Sequence, residues 1–456
     1  MRILSFLSII LLSGSLYAQD IAGRWNGVLK IQGTSLRVIF DIKKAEAGYT
    51  VTMDSPDQGA IGIPVNKTTF QDGLLTLSAP NMALTYEGKL TDETIVGDFK
   101  QGGQTFPLTL SKKVTEKVKT PRPQTPVAPF PYYSEEVTFN NGSANVKLAG
   151  TLTLPQKEGN FPAVILITGS GPQDRDEKLF DHQPFLVLSD YLTRNGFAVL
   201  RYDDRGVAQS TGDFKNATTQ DFATDVESAI AYLRTRKEIN QKKIGLIGHS
   251  EGGMIAPMVA AQDKGVAFIV LLAAPGMPIT ELMLLQKEKI ERQAGVSEKD
   301  LADAQSVFKG AYKLVLASSK NDNQLKTQLN SYFKEKLSGN VPDKDIATIV
   351  DQLTATWFYN FLKTDPSIYL TNVKVPVLAL NGENDLQVSA KENLLGIQNV
   401  LAKAGNKKVT VKQFPGLNHL FQESKTGSPS EYGQIEQTIS PIILTEVLNW
   451  LRLQVK

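Results

Sequence analysis

A serine lies between two glycines in the stretch Gly248-His249-Ser250-Glu251-Gly252, which has the pattern Gly-x-Ser-x-Gly. The apolar run KIGLIG before it predicts a buried strand, and the residues after it have an apolar helical face. A strand that turns at once into a helix strains the residue at the tip and requires small neighbours. We therefore predict that Ser250 is a nucleophile and that the Glu251 N–H, at the positive end of the helix, stabilises an oxyanion.

A serine hydroxyl needs a base within hydrogen-bond reach, and the chain contains three histidines. His419, in FPGLNHLF, follows the last predicted strand, where the loops of a parallel sheet meet at the same edge as Ser250. The sequence therefore favours His419 as the base. We expect His249 to point away from Ser250 as a packing residue. His182 is expected at the surface or in a cap, with a place in the pocket as the alternative.

The acid that orients the histidine is expected between the serine and the histidine in chain order. The run LALNGENDLQV ends a predicted buried strand and places Glu383 and Asp385 in the following loop. We predict Asp385, because the spacing from Gly382 to Val388 resembles the acid turn of many enzymes with this triad, and Glu383 is the alternative. The carboxylate would hold the histidine tautomer and stabilise the imidazolium as it forms.

A second oxyanion donor is expected in the loop after an earlier strand, in VILITGSGPQDRD. Pro172 has no N–H, so Ser170 is the predicted donor and Gly171 the second candidate, which is also a candidate pocket residue. Asp174 replaces the last glycine of a Gly-x-Gly-x-x-Gly dinucleotide turn, which argues against a nicotinamide cofactor. No pair of histidines has the spacing of metal ligands. We therefore expect neither a cofactor nor a metal.

Composition and charge limit the classes of binding partner and the cellular compartment that the sequence allows. Lys plus Arg number 49 and Asp plus Glu 47, without blocks of either sign, so we expect no binding to nucleic acid or to a membrane surface. Residues 1–18 have an early cation, an apolar run too short to span a bilayer, and small residues before Ala18, which predicts a signal peptide rather than a membrane anchor. The chain has no cysteine, so neither disulfides nor a lipidated cysteine are expected. The mature protein is predicted to be periplasmic or extracellular.

The elements that must position these residues fall into three parts. Residues 20–112 contain roughly eight short runs of alternating polarity, which predict a small antiparallel β-barrel of up-and-down order. The Lys- and Pro-rich residues 113–131 predict an extended linker. Residues 132–456 alternate apolar strands with amphipathic helices, which predicts an α/β fold with a mostly parallel sheet covered on both faces. Residues 278–368 interrupt this alternation with about four helical patterns.

Five stretches together resemble serine hydrolases of the α/β-hydrolase superfamily: LITGSGPQDRDE, LRYDDRGVAQSTGDF, IGLIGHSEGGMIAP, NGENDLQV and FPGLNHLF. They are similar to a group of exported bacterial esterases and serine-aminopeptidase-like enzymes, and the resemblance covers roughly Tyr132 to Lys456. It implies the α/β-hydrolase fold and a lid formed by the helical insertion. A lid helix faces the cavity on one side, so Trp357 and Tyr359 in TATWFYNFLK are candidate pocket residues.

The sequence departs from this superfamily at two turns. Thr168-Gly169 replaces the usual histidine-glycine at the start of the oxyanion loop, and Ala208 replaces the glycine that ends an Asp-x-Arg-Gly-x-Gly pattern. Asp204 and Arg205, in that second pattern, are expected to brace loops rather than to act in catalysis. The opening GRWNGVLKI resembles the first strand of lipocalin-like barrels, in which the tryptophan closes one end, so Trp25 is expected to be a core residue.

The favoured hypothesis is hydrolysis of a small-molecule or glycan carboxylic ester through an acyl-enzyme. One alternative is cleavage of peptide or aminoacyl amides by the same triad, although the insertion offers no clear carboxylate pair for a substrate ammonium. The other is a binding protein whose barrel captures a ligand and whose hydrolase fold is inactive. The presence of all three triad residue types favours an enzyme. The sequence leaves the oligomeric state open.

Overall fold

The computed structural model describes residues 20–31, 34–46, 48–56, 60–80, 84–101, 104–114, 120–337 and 341–456. The chain forms two compact units, Met1–Lys119 and Thr120–Lys456. The predicted signal peptide, residues 1–18, lies outside the described residues. Across the described ranges, we find no helix with the length and apolar character needed to cross a membrane.

The first unit is an antiparallel sheet that curls into a nearly closed barrel. In its described residues the strands are β1 (Gly23–Ile31), β2 (Thr34–Ala45), β3 (Gly48–Ser55), β4 (Ala60–Val65), β5 (Lys67–Gln71), β6 (Leu74–Ala79), β7 (Leu84–Thr91), β8 (Thr94–Gln101) and β9 (Gln104–Ser111). They lie in the order β4-β3-β2-β1-β9-β8-β7-β6-β5. The edge strands β4 and β5 contain no buried residue, so they lack the buried apolar face that marks strands such as β6 and β7.

Large side chains fill the interior of this barrel. Trp25 is 2% exposed, and its indole N–H donates to the Ile21 carbonyl at 2.7 Å, which confirms the prediction of a core residue. The Tyr86 hydroxyl donates to the carbonyls of Ile95 and Leu108 at 3.0 and 3.2 Å. The largest fully buried side chains in its core are Ile21, Trp25, Phe40, Ile42, Leu75, Tyr86 and Phe99. The barrel is therefore stabilised by its own apolar core.

The second unit has the predicted α/β-hydrolase fold. The strands in its described part, residues 120–337 and 341–456, are β10 (Tyr133–Asn141), β11 (Val146–Leu154), β12 (Phe161–Ile167), β13 (Ala198–Tyr202), β14 (Ile239–His249), β15 (Val266–Leu272), β16 (Val377–Gly382) and β17 (Val409–Phe414). They lie in the order β10-β11-β13-β12-β14-β15-β16-β17. The β10–β11 and β11–β13 pairs are antiparallel, and all the following pairs are parallel.

The strands of this sheet are apolar throughout because both faces are buried. Ile165 and Leu200 belong to the core on one face, whereas Val164 and Val199 belong to the core on the other. The helices on the two faces are α1 (Pro184–Arg194), α2 (Thr219–Thr235) and α3 (Glu251–Gln262) before the insertion. The ends of these parallel strands bring the loops after β12, β14, β16 and β17 to one edge of the sheet.

The segment between β15 and β16 is helical, as predicted, and contains six helices in its described part rather than about four. They are α4 (Ile279–Gln293), α5 (Glu298–Ala317), α6 (Asn323–Lys336), α7 (Asp343–Leu353), α8 (Thr356–Leu362) and α9 (Ser367–Leu370). The stretch TATWFYNFLK, predicted as a helix, contains α8, whereas α9 has four residues and is too short to show a helical period in the sequence. The chain then returns to the sheet, which is completed by α10 (Ala390–Lys403) and α11 (Pro441–Gln454).

Residues 120–131 pack onto the second unit through two polar side chains. The Arg122 guanidinium donates to the Ile435 carbonyl at 2.6 Å, and also to two other carbonyl groups. The Gln124 side chain accepts the Thr438 N–H at 2.6 Å. These bonds fasten the start of the second unit to the loop that precedes α11.

Candidate active site

Ser250 occupies a strained turn between β14 and α3. Its backbone has φ 51° and ψ −117°, and its side chain makes no capping hydrogen bond to the helix. A Cβ on Gly248 would lie 2.0 Å from the Gly252 carbonyl oxygen, and one on Gly252 would lie 2.2 Å from the Ile167 carbonyl oxygen. Only glycine fits at these two positions, as the sequence pattern indicated.

His419 and Asp385 meet at the same edge of the sheet. His419 Nδ1 lies 2.8 Å from Asp385 Oδ2, and both side chains are buried. The other carboxylate oxygen of Asp385 accepts the N–H groups of Gln387 and Val388, each at 2.8 Å. Glu383, the alternative acid, is exposed. The turn after β16 therefore fixes the carboxylate that faces the His419 ring.

His249 is buried beside His419. Its Nε2 lies 3.0 Å from the His419 carbonyl oxygen, and the two rings have centroids 4.8 Å apart. Its Nδ1 lies 2.9 Å from Glu177 Oε1, which also accepts the Gly169 N–H at 2.7 Å. Burial would lower the pKa of His249, but the neighbouring Glu177 carboxylate and its hydrogen bond outweigh burial and raise it. Sequence reasoning missed Glu177, because no local pattern marks a carboxylate that folds back onto its own loop.

The loop after β12, residues 168–174, runs against the turn of Ser250, and we call it the oxyanion loop after the role that the sequence predicts for it. A Cβ on Gly169 would lie 3.2 Å from the Ser250 Cβ. Because the Gly169 N–H donates to Glu177, it is not free for an oxyanion. Ser170 follows in an exposed position, and Gly171 has φ 96°. On the other side, α3 begins at Glu251, whose backbone N–H is in the first turn and has no partner within the helix.

Asp204 and Arg205 brace loops around the site. Asp204 accepts the Thr168 hydroxyl at 2.7 Å and the Gln173 N–H at 3.0 Å, so it holds both ends of the oxyanion loop. Burial raises the pKa of Asp204 well above its ordinary value. Arg205 pairs with buried Asp225 through Nε at 2.7 Å. Both contacts agree with the bracing role expected from the sequence.

Trp357 connects the helical insertion to the turn that carries Ser250. Its indole N–H lies 2.9 Å from Glu251 Oε1, which also accepts the Thr219 hydroxyl at 2.6 Å. Burial raises the pKa of Glu251, although both hydrogen bonds oppose this shift. The Trp357 ring stacks on Phe361 at 4.8 Å between centroids.

Tyr359, the second candidate pocket residue of the insertion, bonds to residues of the insertion and not to Glu251. Its hydroxyl lies 3.2 Å from the Ser318 hydroxyl and 3.1 Å from Lys363 Nζ. These partners directly follow α5 and α8, so the hydrogen bonds of Tyr359 contribute to packing within the insertion. Ala208 has φ 45°, and its turn therefore has the left-handed backbone that glycine more often provides.

The prediction that His182 lies at the surface or in a cap is wrong. The side chain is fully buried, with Nδ1 2.9 Å from the Thr438 hydroxyl and Nε2 2.9 Å from the Tyr432 carbonyl oxygen. Tyr432 is also buried, and its hydroxyl accepts from Gln387 in the turn that holds Asp385. Sequence reasoning missed Tyr432, which follows a short 3₁₀ turn without a periodic signal.

The site combines a half-buried serine at a helix start, a histidine–carboxylate pair and backbone donors. These are the groups required for acyl transfer through a serine nucleophile. Within the described ranges, no group of three His, Cys, Asp or Glu side chains is arranged to hold a metal ion.

Comparisons with known proteins agree with this architecture. The family model described as "Serine aminopeptidase, S33" matches residues 183–425, more than half of the chain. The chain is 27% identical over 329 residues to esterase EstD of Thermotoga maritima, a match that covers 71% of this chain and 69% of that protein.

Two solved structures are similar in fold. The esterase Pf2001 of Pyrococcus furiosus has a TM-score of 0.45 and 15% identity, over 75% of this chain and 100% of that chain. The hypothetical protein PA2218 of Pseudomonas aeruginosa has a TM-score of 0.45 and 16% identity, over 75% of this chain and 99% of that chain.

Proposed function

Because this chain belongs to the serine aminopeptidase S33 family, we propose that it hydrolyses carboxylic esters through an acyl-enzyme on Ser250. The observation that carries the proposal is the 2.8 Å contact between His419 Nδ1 and Asp385 Oδ2, in loops that meet at the edge of the sheet where Ser250 turns into α3. The similarity to an esterase supports the choice of an ester bond.

The proposed reaction begins when Ser250 Oγ attacks the ester carbonyl carbon and His419 Nε2 accepts the hydroxyl proton. Asp385 holds the proton on Nδ1 and stabilises the imidazolium. The N–H groups of Ser170 and Glu251 would bind the oxyanion. The intermediate then expels the alcohol, which takes the proton from His419. Water attacks the acyl-enzyme by the same route, releases the acid and regenerates Ser250.

The pocket is proposed to lie between the sheet edge and the helical insertion, which would act as a lid. Trp357, which bonds to the residue after Ser250, and Gly171, in the oxyanion loop, are the proposed pocket residues. The substrate would be a small-molecule or glycan ester. We also propose that residues 1–18 direct export to the periplasm or the exterior, and that residues 113–131 link the two domains.

Amide cleavage is the second candidate, because the matched family is described as a serine aminopeptidase. An aminopeptidase needs a carboxylate for the substrate ammonium. Glu251 is the buried carboxylate next to Ser250, and Oε1 already accepts from Thr219 and Trp357. A pure ligand-binding function is also less favoured, since large side chains fill the barrel. The ester hypothesis therefore has the stronger support.

The test uses the chain without residues 1–18 and a panel of substrates. We expect hydrolysis of p-nitrophenyl acetate or a short-chain homologue, little activity on aminoacyl p-nitroanilides, and covalent labelling by a fluorophosphonate probe. The variant Ser250→Ala is the control for both readouts. Absence of labelling in folded wild-type protein would reject the proposal, and faster cleavage of the anilides would replace it with the amide hypothesis.

A further inference from the structure

A second histidine–carboxylate pair lies directly behind the nucleophile. His249 precedes Ser250 in the chain, and its ring is enclosed between two oxygen atoms, Glu177 Oε1 at Nδ1 and the His419 carbonyl oxygen at Nε2. The proposed mechanism uses neither side chain. Glu177 also accepts the Gly169 N–H, so one chain of contacts runs from the oxyanion loop through Glu177 and His249 to the backbone of His419.

The donors and acceptors in this chain of contacts fix the number of protons. A peptide carbonyl only accepts, so His249 Nε2 must carry a proton. The contact of 2.9 Å between Nδ1 and Glu177 Oε1 also needs one proton between its two atoms. A neutral imidazole has only one N–H, and an ionised carboxylate has none. A neutral His249 beside an ionised Glu177 therefore cannot make both hydrogen bonds.

We propose that His249 is an imidazolium paired with the Glu177 carboxylate, and that this buried ion pair is a positioning device that ties the oxyanion loop to the loop of His419. Both Glu177 and His249 border a cavity of about 20 Å³ lined largely by apolar side chains from α1 and from the loop after β17. In such surroundings, removal of one member leaves the other charge without compensation. The pair is therefore a stable unit only when both charges are present.

The groups that face His249 favour this charge state. The titratable or charged groups near it are Glu177, which follows the oxyanion loop, Asp385, in the turn after β16, and His419, in the loop after β17. The carboxylates of Glu177 and Asp385 both favour the imidazolium form of His249. The negative charge of Glu177 also offsets the positive charge of His249 at the position of His419. Deprotonation of His249 at alkaline pH would bring the lone pairs of His249 Nδ1 and Glu177 Oε1 into contact. The hydrogen bond that links the two loops would then be lost.

Nitrogen NMR of the wild-type chain with ¹⁵N-labelled histidine tests the charge state without any substrate. Because the chain has three histidines, the ring signals form three sets. At about pH 8, where an ordinary histidine is neutral, we expect one set to show both ring nitrogens protonated and to disappear in His249→Gln. If His249→Gln does not fold, a change confined to the same set in Glu177→Gln assigns it. A singly protonated His249 ring at that pH would overturn the proposal.

Kinetics test the positioning role, which rests on the proposed esterase function. In Glu177→Gln we expect kcat to fall by about 10²-fold, with KM little changed and the alkaline limit of the pH profile moved to lower pH, because small misplacement of catalytic groups has effects of this size. The fluorophosphonate labelling rate should fall in parallel. Glu238→Gln is the matched control, since Glu238 pairs with Arg236 before the opposite end of β14.

The NMR and kinetic experiments distinguish a failure of the positioning role from a failure of the proposed function. A wild-type kcat and pH profile in Glu177→Gln would reject the positioning role even if the imidazolium is observed. If the wild-type chain neither hydrolyses esters nor binds the fluorophosphonate, the proposed function fails, and the NMR result still decides whether the buried ion pair exists.

Discussion

The indole N–H of Trp357 lies 2.9 Å from Glu251 Oε1 and thereby joins the helical insertion to the residue after Ser250. Because Glu251 is buried, this hydrogen bond stabilises its charged form. Trp357→Phe would keep an aromatic ring on Phe361 and remove only the donor. We expect a loss of about 1–3 kcal/mol in the free energy of unfolding, measured in urea, since a buried carboxylate loses one of two donors.

The control for this change is Tyr332→Phe, which removes a hydroxyl that donates to the Val307 carbonyl at 2.9 Å within the insertion. If the insertion closes the pocket as proposed, Trp357→Phe should also raise KM for p-nitrophenyl esters, whereas Tyr332→Phe should not. An equal KM in both variants would contradict a pocket role for Trp357.

Ser250→Ala should lower kcat by about 10⁶-fold, because the remaining groups cannot form the acyl-enzyme. The purified variant should have the wild-type circular dichroism spectrum and no fluorophosphonate label. Retention of more than a few per cent of the wild-type rate would remove Ser250 from the mechanism.

Asp385→Asn should lower kcat by about 10⁴-fold, because an amide that donates to His419 Nδ1 would stabilise the wrong tautomer. Glu383→Gln provides the discriminating comparison, since Glu383 lies two residues away and is exposed. Steady-state rates for the two variants decide which acid serves His419. A larger loss in Glu383→Gln would reverse the assignment.

The buried carboxyl group of Asp204 predicts how the stability of the folded protein changes with pH. Because burial raises its pKa in the folded state, the stability it contributes is present below the unfolded pKa and is lost as pH rises through the folded pKa. Asp204→Asn removes this loss, since an amide can accept the Gln173 N–H and donate to the Thr168 hydroxyl. The melting temperature of Asp204→Asn minus that of the wild type should therefore increase as the pH rises.

Asp204→Ala is the contrasting variant, because it removes the acceptor of the buried Thr168 hydroxyl and of the half-buried Gln173 N–H. We expect it to lose about 1–3 kcal/mol of stability. A melting temperature for Asp204→Asn that falls relative to wild type as pH rises would show that the folded protein holds Asp204 in its charged form.

The sequence predicted the parts of the fold that have a strong local pattern. Both faces of strands such as β12 are buried, so their residues are apolar throughout, and the glycines around Ser250 are required by backbone contacts of about 2 Å. The strands β4 and β5 and the four-residue helix α9 were not predicted, because half-exposed or very short segments give weak apolar patterns.

The contacts between distant segments explain what was missed at the site. Glu177 meets His249 across 72 positions of the chain, and His182 meets Tyr432 across 250. Neither contact leaves a pattern in the neighbouring residues. The position of His182 just before a predicted helix favoured a surface or capping residue, but its partners in the loop before α11 bury it.

The start of the second unit allows a test by truncation. Since the barrel has its own apolar core, a chain that begins at Thr120 should fold and hydrolyse a small soluble ester at close to the full-length rate. A chain that begins at Tyr132 would lose the bonds from Arg122 and Gln124 to the loop before α11. We expect it to unfold at a lower urea concentration, with about 1.5–3 kcal/mol lost for the charged donor alone.

The full-length variant Arg122→Lys is the matched control, because it keeps the charge and loses the planar donor geometry. The stability of its second unit should fall between those of the two truncated chains. Equal urea midpoints for the two truncated chains would show that residues 120–131 do not stabilise the second unit, and a large loss of esterase rate from removal of the barrel alone would show that the barrel takes part in the turnover of small esters.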